Sequence, residues 1–107
     1  MIFGLRILPA ADDDVDEQAV YIAGDSIEHA LRFYDSVTAT YKLILESPKR
    51  WALYGFDSPR LSDLRKRSVL GFPNHFVFYQ IEADVVETVR VLHGARDLPA
   101  VLEKGAQ

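Results

Sequence analysis

The chain has 107 residues, 49% of them hydrophobic and 26% charged, and no cysteine. That length supports one compact domain with its own core, the composition argues against disorder, and the lack of thiols excludes disulfide scaffolds and cysteine nucleophiles. The formal charge of -4 is unevenly spread, with nine acids and three bases in residues 1–48 against seven acids and nine bases in residues 49–107, as in an acidic scaffold beside a basic working surface.

Residues 3–8 are short, apolar and bounded by Pro9, and read as an opening strand. A helix is expected over 10–23, because Ala11, Val15, Ala19 and Ile22 form an apolar row and acids crowd the first turns, where they complement the positive end of the helix dipole. Gly24 is its expected stop. Asp25 and Glu28 then read as a capping box opening a second helix that runs to about residue 47, where Pro48 ends it. In that helix Ile27, Leu31, Tyr34, Thr38, Tyr41 and Leu45 form one stripe, widened by Ala30, Phe33, Val37 and Ile44. The apolar arc is about 160° wide, more than the roughly 100° needed to rest on one surface, so two contacts are expected. A connection this short predicts an antiparallel helical hairpin.

Residues 49–62 combine Gly55 and Pro59 with Trp51, Tyr54 and Phe56 and predict an ordered loop. Three strands follow over 64–69, 75–82 and 85–92, with turns at Gly71-Phe72-Pro73 and Ala83-Asp84, the last two strands forming a hairpin. The expected fold is a single α+β domain over residues 1–107, a helical hairpin packed on a small antiparallel sheet in the order β-α-α-β-β-β. No apolar run approaches a membrane span and the first residues do not form a secretion signal, so a cytoplasmic protein without a membrane partner is expected.

The most basic window holds six cations, Lys49, Arg50, Arg60, Arg65, Lys66 and Arg67, against Asp57 and Asp63. Strand alternation places Arg65 and Arg67 on one face, spaced to straddle phosphates or an acidic surface; the plainer alternative is a solvated edge strand. With Val89 and Val91 facing the core, Arg90 is expected on the open side beside them and His93 at the core rim. Three scattered histidines supply no metal-ligand spacing, and phosphate loops and nucleophile elbows are missing, so no metal or cofactor is expected. The acids from Asp12 to Glu17 read as a solvated helix start, since they lack the glycine and terminal glutamate of a calcium loop.

Val89-Arg90-Val91-Leu92-His93-Gly94-Ala95-Arg96-Asp97-Leu98 resembles the signature of ParE-type toxins in the wider RelE/ParE superfamily. The resemblance extends through Pro73 to Tyr79, Glu46-Ser47-Pro48 and Pro9-Ala10-Ala11. It implies the toxin half of a type II toxin-antitoxin pair, held by a ParD-like antitoxin whose other end, usually a ribbon-helix-helix, binds operator DNA. The spare width of the second helix fits such a partner, with Phe33, Ile44 and Tyr21 as expected contacts. Arg65, Arg67, Arg90 and Arg96 are the expected target-contact residues, while His93 and Gly94 shape the turn that positions Arg96 and Asp97, glycine permitting backbone angles a side chain resists. ParE-like members are associated with poisoning DNA gyrase, which implies an inhibitor that catalyses no reaction. RelE-like members cut mRNA on the ribosome and commonly carry a tyrosine or histidine in the tail; the tail after Arg96 has neither, which disfavours that alternative, although His93 or Tyr79 are the side chains that could serve as base. A weakly toxic antitoxin-binding module is the remaining alternative.

Overall fold

Six elements follow one another in the order read from the sequence. In the computed structural model, which describes residues 2–51, 53 and 63–94, they are β1 (Gly4–Ile7), α1 (Pro9–Ala23), α2 (Ile27–Glu46), β2 (Arg65–Val69), β3 (Phe72–Glu82) and β4 (Val85–His93). Pro9 occupies the first turn of α1, where a missing N–H removes no hydrogen bond. The cap of α2 is Ser26 rather than Asp25: its hydroxyl accepts from the backbone N–H of His29 at 3.1 Å. With the cap one residue later than expected, Glu28 stands too early to reach back and pairs instead with Arg32, one turn on, at 3.4 Å.

The sheet order is β1-β4-β3-β2. β2, β3 and β4 form an antiparallel meander, but β1 runs parallel to β4 from Gly4↔Val85 to Ile7↔Thr88. The sheet is therefore mixed, not wholly antiparallel. The helical hairpin supplies the long connection that a parallel arrangement requires, returning the chain so that β1 and the far strand of the meander point the same way. The first tight turn is Leu70-Gly71, with Gly71 at φ 77°. Pro73, expected in that turn, instead stands near the start of β3, beside the register shift at Ser68/Val69, where its missing N–H is tolerated.

Phe33, Val37 and Ile44 of α2 meet Ala11, Val15 and Ala19 of α1 over Val77, Tyr79, Val86 and Val91 of the sheet. This corrects which row of α2 is internal. The flanking row with Phe33, Val37 and Ile44 is buried, whereas Ile27 and Leu31 at the head of the central stripe are exposed. A wide apolar arc leaves two ways to rotate a helix, and here the bulky Phe33 sets it, packing edge-on to Phe72 and against the His75 ring. On the other sheet face Lys66 lies over Phe76 at 4.8 Å and Phe76 neighbours Phe78.

Candidate functional site

Of the arginines expected to form an open basic surface, the three described, Arg65, Arg67 and Arg90, are each engaged within the fold. Arg65 stands opposite Tyr79 and Arg67 opposite Val77, so both project from the face that the helices cover. Arg65 Nη1 donates to the carbonyl oxygens of Trp51 at 2.6 Å and Lys49 at 3.3 Å, which fastens the chain leaving α2 onto β2. Arg67 stacks over the Trp51 ring at 5.3 Å while Arg50 lies on the same ring at 5.5 Å, and its Nη1 donates to the carbonyl and hydroxyl oxygens of Ser68. Trp51 is the organiser of this basic corner.

Arg90 departs furthest from expectation. Alternation in β4 breaks where Phe78 pairs with Arg90 and Tyr79 with Thr88, leaving Val89 bulged between them. A bulge re-aims the residues beside it, and Arg90 reaches α1. Its Nε and Nη2 donate to the two carboxylate oxygens of Asp14 at 2.6 and 2.7 Å, and Asp14 also accepts the backbone N–H of Val91 at 3.1 Å. With side chains 14% and 6% exposed, this bidentate pair clamps α1 to the sheet. The hydrogen bond to Asp14, set against burial, holds the Arg90 guanidinium above its ordinary value. Asp14 is thus no part of a solvated helix start. A cue was legible, since Asp14 follows Ala11 by three residues and so falls on the buried side of α1.

One turn along the same side, Gln18 Nε2 donates to the Val91 carbonyl at 2.6 Å. That fixes the amide so that its oxygen faces His75 Nδ1, also at 2.6 Å. An amide oxygen only accepts, so the proton of neutral His75 resides on Nδ1. His93 stands opposite His75 in the sheet, ring to ring at 4.9 Å. Burial, with the neighbouring His93 adding to it, keeps His75 below the ordinary imidazole value of 6.5. The two histidines floor a cavity of about 490 Å³ walled by Glu17, Gln18, Val20 and Tyr21, which spacing alone did not reveal because His75 was read as an ordinary strand residue.

Gly94 continues β4 into a turn, donating its N–H to Asn74 O at 2.8 Å. A Cβ there would come within 2.9 Å of the Phe76 ring. Space, not a left-handed backbone, is what Gly94 supplies, which replaces the expectation of unusual angles. Arg96 and Asp97 lie outside the described residues. Tyr79 is fully buried and its hydroxyl donates to Pro48 O at 2.6 Å; burial pushes its pKa up to about 12 even though Arg65 and Arg67 pull the other way.

Of the expected antitoxin contacts, Phe33 and Ile44 are internal and unavailable to a partner in this fold, while Tyr21 is 83% exposed. Val20, Ile27 and Leu31, not among the expected contacts, are exposed as well. The hydrogen bond from Tyr34 Oη to Asp16 Oδ1, at 2.7 Å, ties α1 to α2 across the hairpin. Below Tyr34 the surface continues into a groove of about 470 Å³ between β1 and the helices, lined by Leu5, Ile7, Val15, Tyr41 and Leu45 among others.

Residues 5–98 match the family model described as the ParE toxin of type II toxin-antitoxin system, parDE. No curated protein matches the chain. Among solved structures it is similar to a chain of the chromosomal ParDE TA system from P. aeruginosa, with a TM-score of 0.69 at 14% identity, covering 86% of this chain and 96% of that one. That likeness shows the shared fold, two helices on a four-stranded mixed sheet. The family match extends from the opening strand through the last strand described and beyond it, and the chain belongs to the ParE toxin family of type II toxin-antitoxin systems.

Proposed function

We propose that this chain is a growth-inhibiting toxin that is neutralised by a ParD-like antitoxin seated on its helical hairpin and that, left free, it poisons DNA gyrase without catalysing a reaction. Family membership across residues 5–98 carries the toxin assignment. The observation supporting the antitoxin seat is the exposure of Val20 and Tyr21 near the end of α1 and of Ile27 and Leu31 near the start of α2, since large exposed apolar side chains on a small protein point to an interaction surface. DNA enters only through the antitoxin. The gyrase target rests on the family resemblance. It is further supported by the engagement of several side chains that a nuclease could use, with Tyr79, one of the two candidate bases, among them. Tyr79 is buried and bonded to Pro48 O, and Arg65 and Arg90 are occupied in holding the fold, whereas a general base must reach its substrate.

The deciding experiment induces the chain without its antitoxin in a bacterial host and follows labelled amino-acid incorporation beside growth and the supercoiling state of a reporter plasmid. Loss of supercoiling while translation continues is the expected result. Early collapse of translation would overturn the gyrase target in favour of a ribosome-dependent nuclease, and normal growth would leave only an antitoxin-binding module.

A further inference from the structure

Four cations of the basic window meet at one corner of the fold. After α2 the chain runs back along β2, where Leu53 bridges to Arg65, and this lays residues 49–51 beside residues 65–67. Arg50 and Arg67 lie on the Trp51 ring at 5.5 and 5.3 Å, and Arg65 Nη1 reaches the carbonyl oxygens of Trp51 and Lys49. Lys49 and Arg50 are exposed, Arg65 and Arg67 half-buried. What sets this corner apart is its missing counter-charge. In a chain with 16 acids and 12 bases, Arg6, Arg32 and Arg90 each donate to a carboxylate, at 3.1, 3.4 and 2.6 Å. Among the described residues none of the four corner cations forms an ion pair. Asp63 shares a cavity of about 360 Å³ with Lys49 and Arg65 and pairs with neither. Of the Arg67 donors only Nη1 is engaged, by Ser68, while Nε is buried without a hydrogen-bond partner. The fold thus holds these guanidiniums in place without supplying the acceptors they are built to take.

An arginine stacked on an indole is restrained while its planar fork keeps its donors, and that fork matches a carboxylate. We propose that this corner docks a carboxylate-rich segment of the toxin's target protein, with Arg50 and Arg67 taking carboxylates and Lys49 adding charge beside them. Two observations favour an acidic protein segment over a nucleic acid. The net charge of -4 repels an extended polyanion such as a duplex, whereas a short acidic segment meets only the corner. The Trp51 ring, which an unpaired base would need for stacking, already carries two guanidiniums. The inference rests on the gyrase reading and adds the chemistry by which the free toxin meets its target.

The test measures binding of the full-length chain to immobilised, purified bacterial DNA gyrase by interferometry at low and at high salt, together with inhibition of supercoiling. Wild-type affinity should fall about tenfold between 50 and 300 mM KCl. Lys49→Ser combined with Arg50→Ser should weaken low-salt binding about 5- to 20-fold, mostly through a slower association rate, flatten the salt dependence and raise the inhibitory concentration in proportion. Arg6→Gln combined with Arg32→Gln removes the same charge elsewhere on the molecule and should stay within about twofold of wild type. Thermal unfolding of both free variants, expected to match wild type at these exposed positions, excludes misfolding as the cause. Equal losses from the two variants would reduce the effect to net charge and overturn the corner, as would gyrase binding that ignores Lys49 and Arg50. A DNA duplex bound by the wild-type chain without gyrase, and released by the corner variant, would assign the corner to phosphate and overturn the acidic segment. If the wild-type chain neither binds nor inhibits gyrase, the gyrase reading itself fails, and this inference with it.

Discussion

The two sides of α1 carry similar residues and do opposite work. On the inner side Asp14 and Gln18 are spent on β4: one carboxylate takes two hydrogen bonds from Arg90 and one from Val91, and one amide bridges Val91 to His75. On the outer side Asp13, Asp16 and Glu17 are exposed beside Val20 and Tyr21, with Asp16 accepting from Tyr34 Oη. Composition does not distinguish Asp13 from Asp14; a 100° step around the helix axis does, turning one from a solvated charge into half of a buried clamp. An acidic run is therefore a statement about a surface only after its helical phase is known.

Substitutions can break this contrast in graded steps. Asp14→Ala takes both carboxylate hydrogen bonds from the Arg90 guanidinium and should cost about 3 kcal/mol, whereas Asp13→Ala should stay within about 0.5 kcal/mol; urea unfolding of the two variants side by side measures the gap, and equal midpoints would refute the clamp. Replacing both partners, Asp14→Leu with Arg90→Met, should recover most of the loss, because no charge is then left buried. Gln18→Ala leaves the Val91 carbonyl and the His75 donor without their bridge and should cost about 1–3 kcal/mol by the same measurement.

A smaller effect concerns acidity. His75 is held below 6.5 in the folded chain, so as the pH falls below 6.5 the unfolded chain takes up the proton first. Stability from this group is complete above 6.5, declines as the pH drops toward the folded value and then levels off. Melting temperatures between pH 7.5 and 5 should fall with a slope that His75→Asn reduces; an unchanged slope would show that His75 is not the group responsible. Smallest of all, Tyr21→Ala should shift the melting temperature hardly at all, within about 0.5 kcal/mol, even though it removes an aromatic ring. A large loss there would mean that the outer face supports the fold after all.

Local physics made the element order readable. The apolar row of α1, the stop before Pro48, and the Val-, Phe- and Tyr-rich strands all express preferences within a few residues. What escaped reading depends on distant partners. The parallel pairing of β1 with β4 and the reach of Arg90 to Asp14 link residues some 76 to 81 positions apart, and the bulge at Val89 that aims Arg90 inward is set by its pairing with β3. The rotation of α2 failed for another reason. Its arc is apolar on both the Phe33 and the Leu31 side, and an interaction surface looks like a core stripe when only periodicity is consulted. Of the candidate site, the tip was legible through Tyr21 alone, and three of the expected arginines, Arg65, Arg67 and Arg90, are held by Trp51, Ser68 and Asp14.

The seam between β1 and β4 also bears on the order in which this molecule is made. β1 and both helices leave the ribosome first, yet Gly4 pairs with Val85 and α1 is clamped by residues 90 and 91. At about 5–20 residues per second, several seconds of synthesis separate the first strand from its neighbour. Through that interval the nascent chain holds a helical hairpin without the sheet that orients it, and loop closure over such a distance makes the last step slow as well as late.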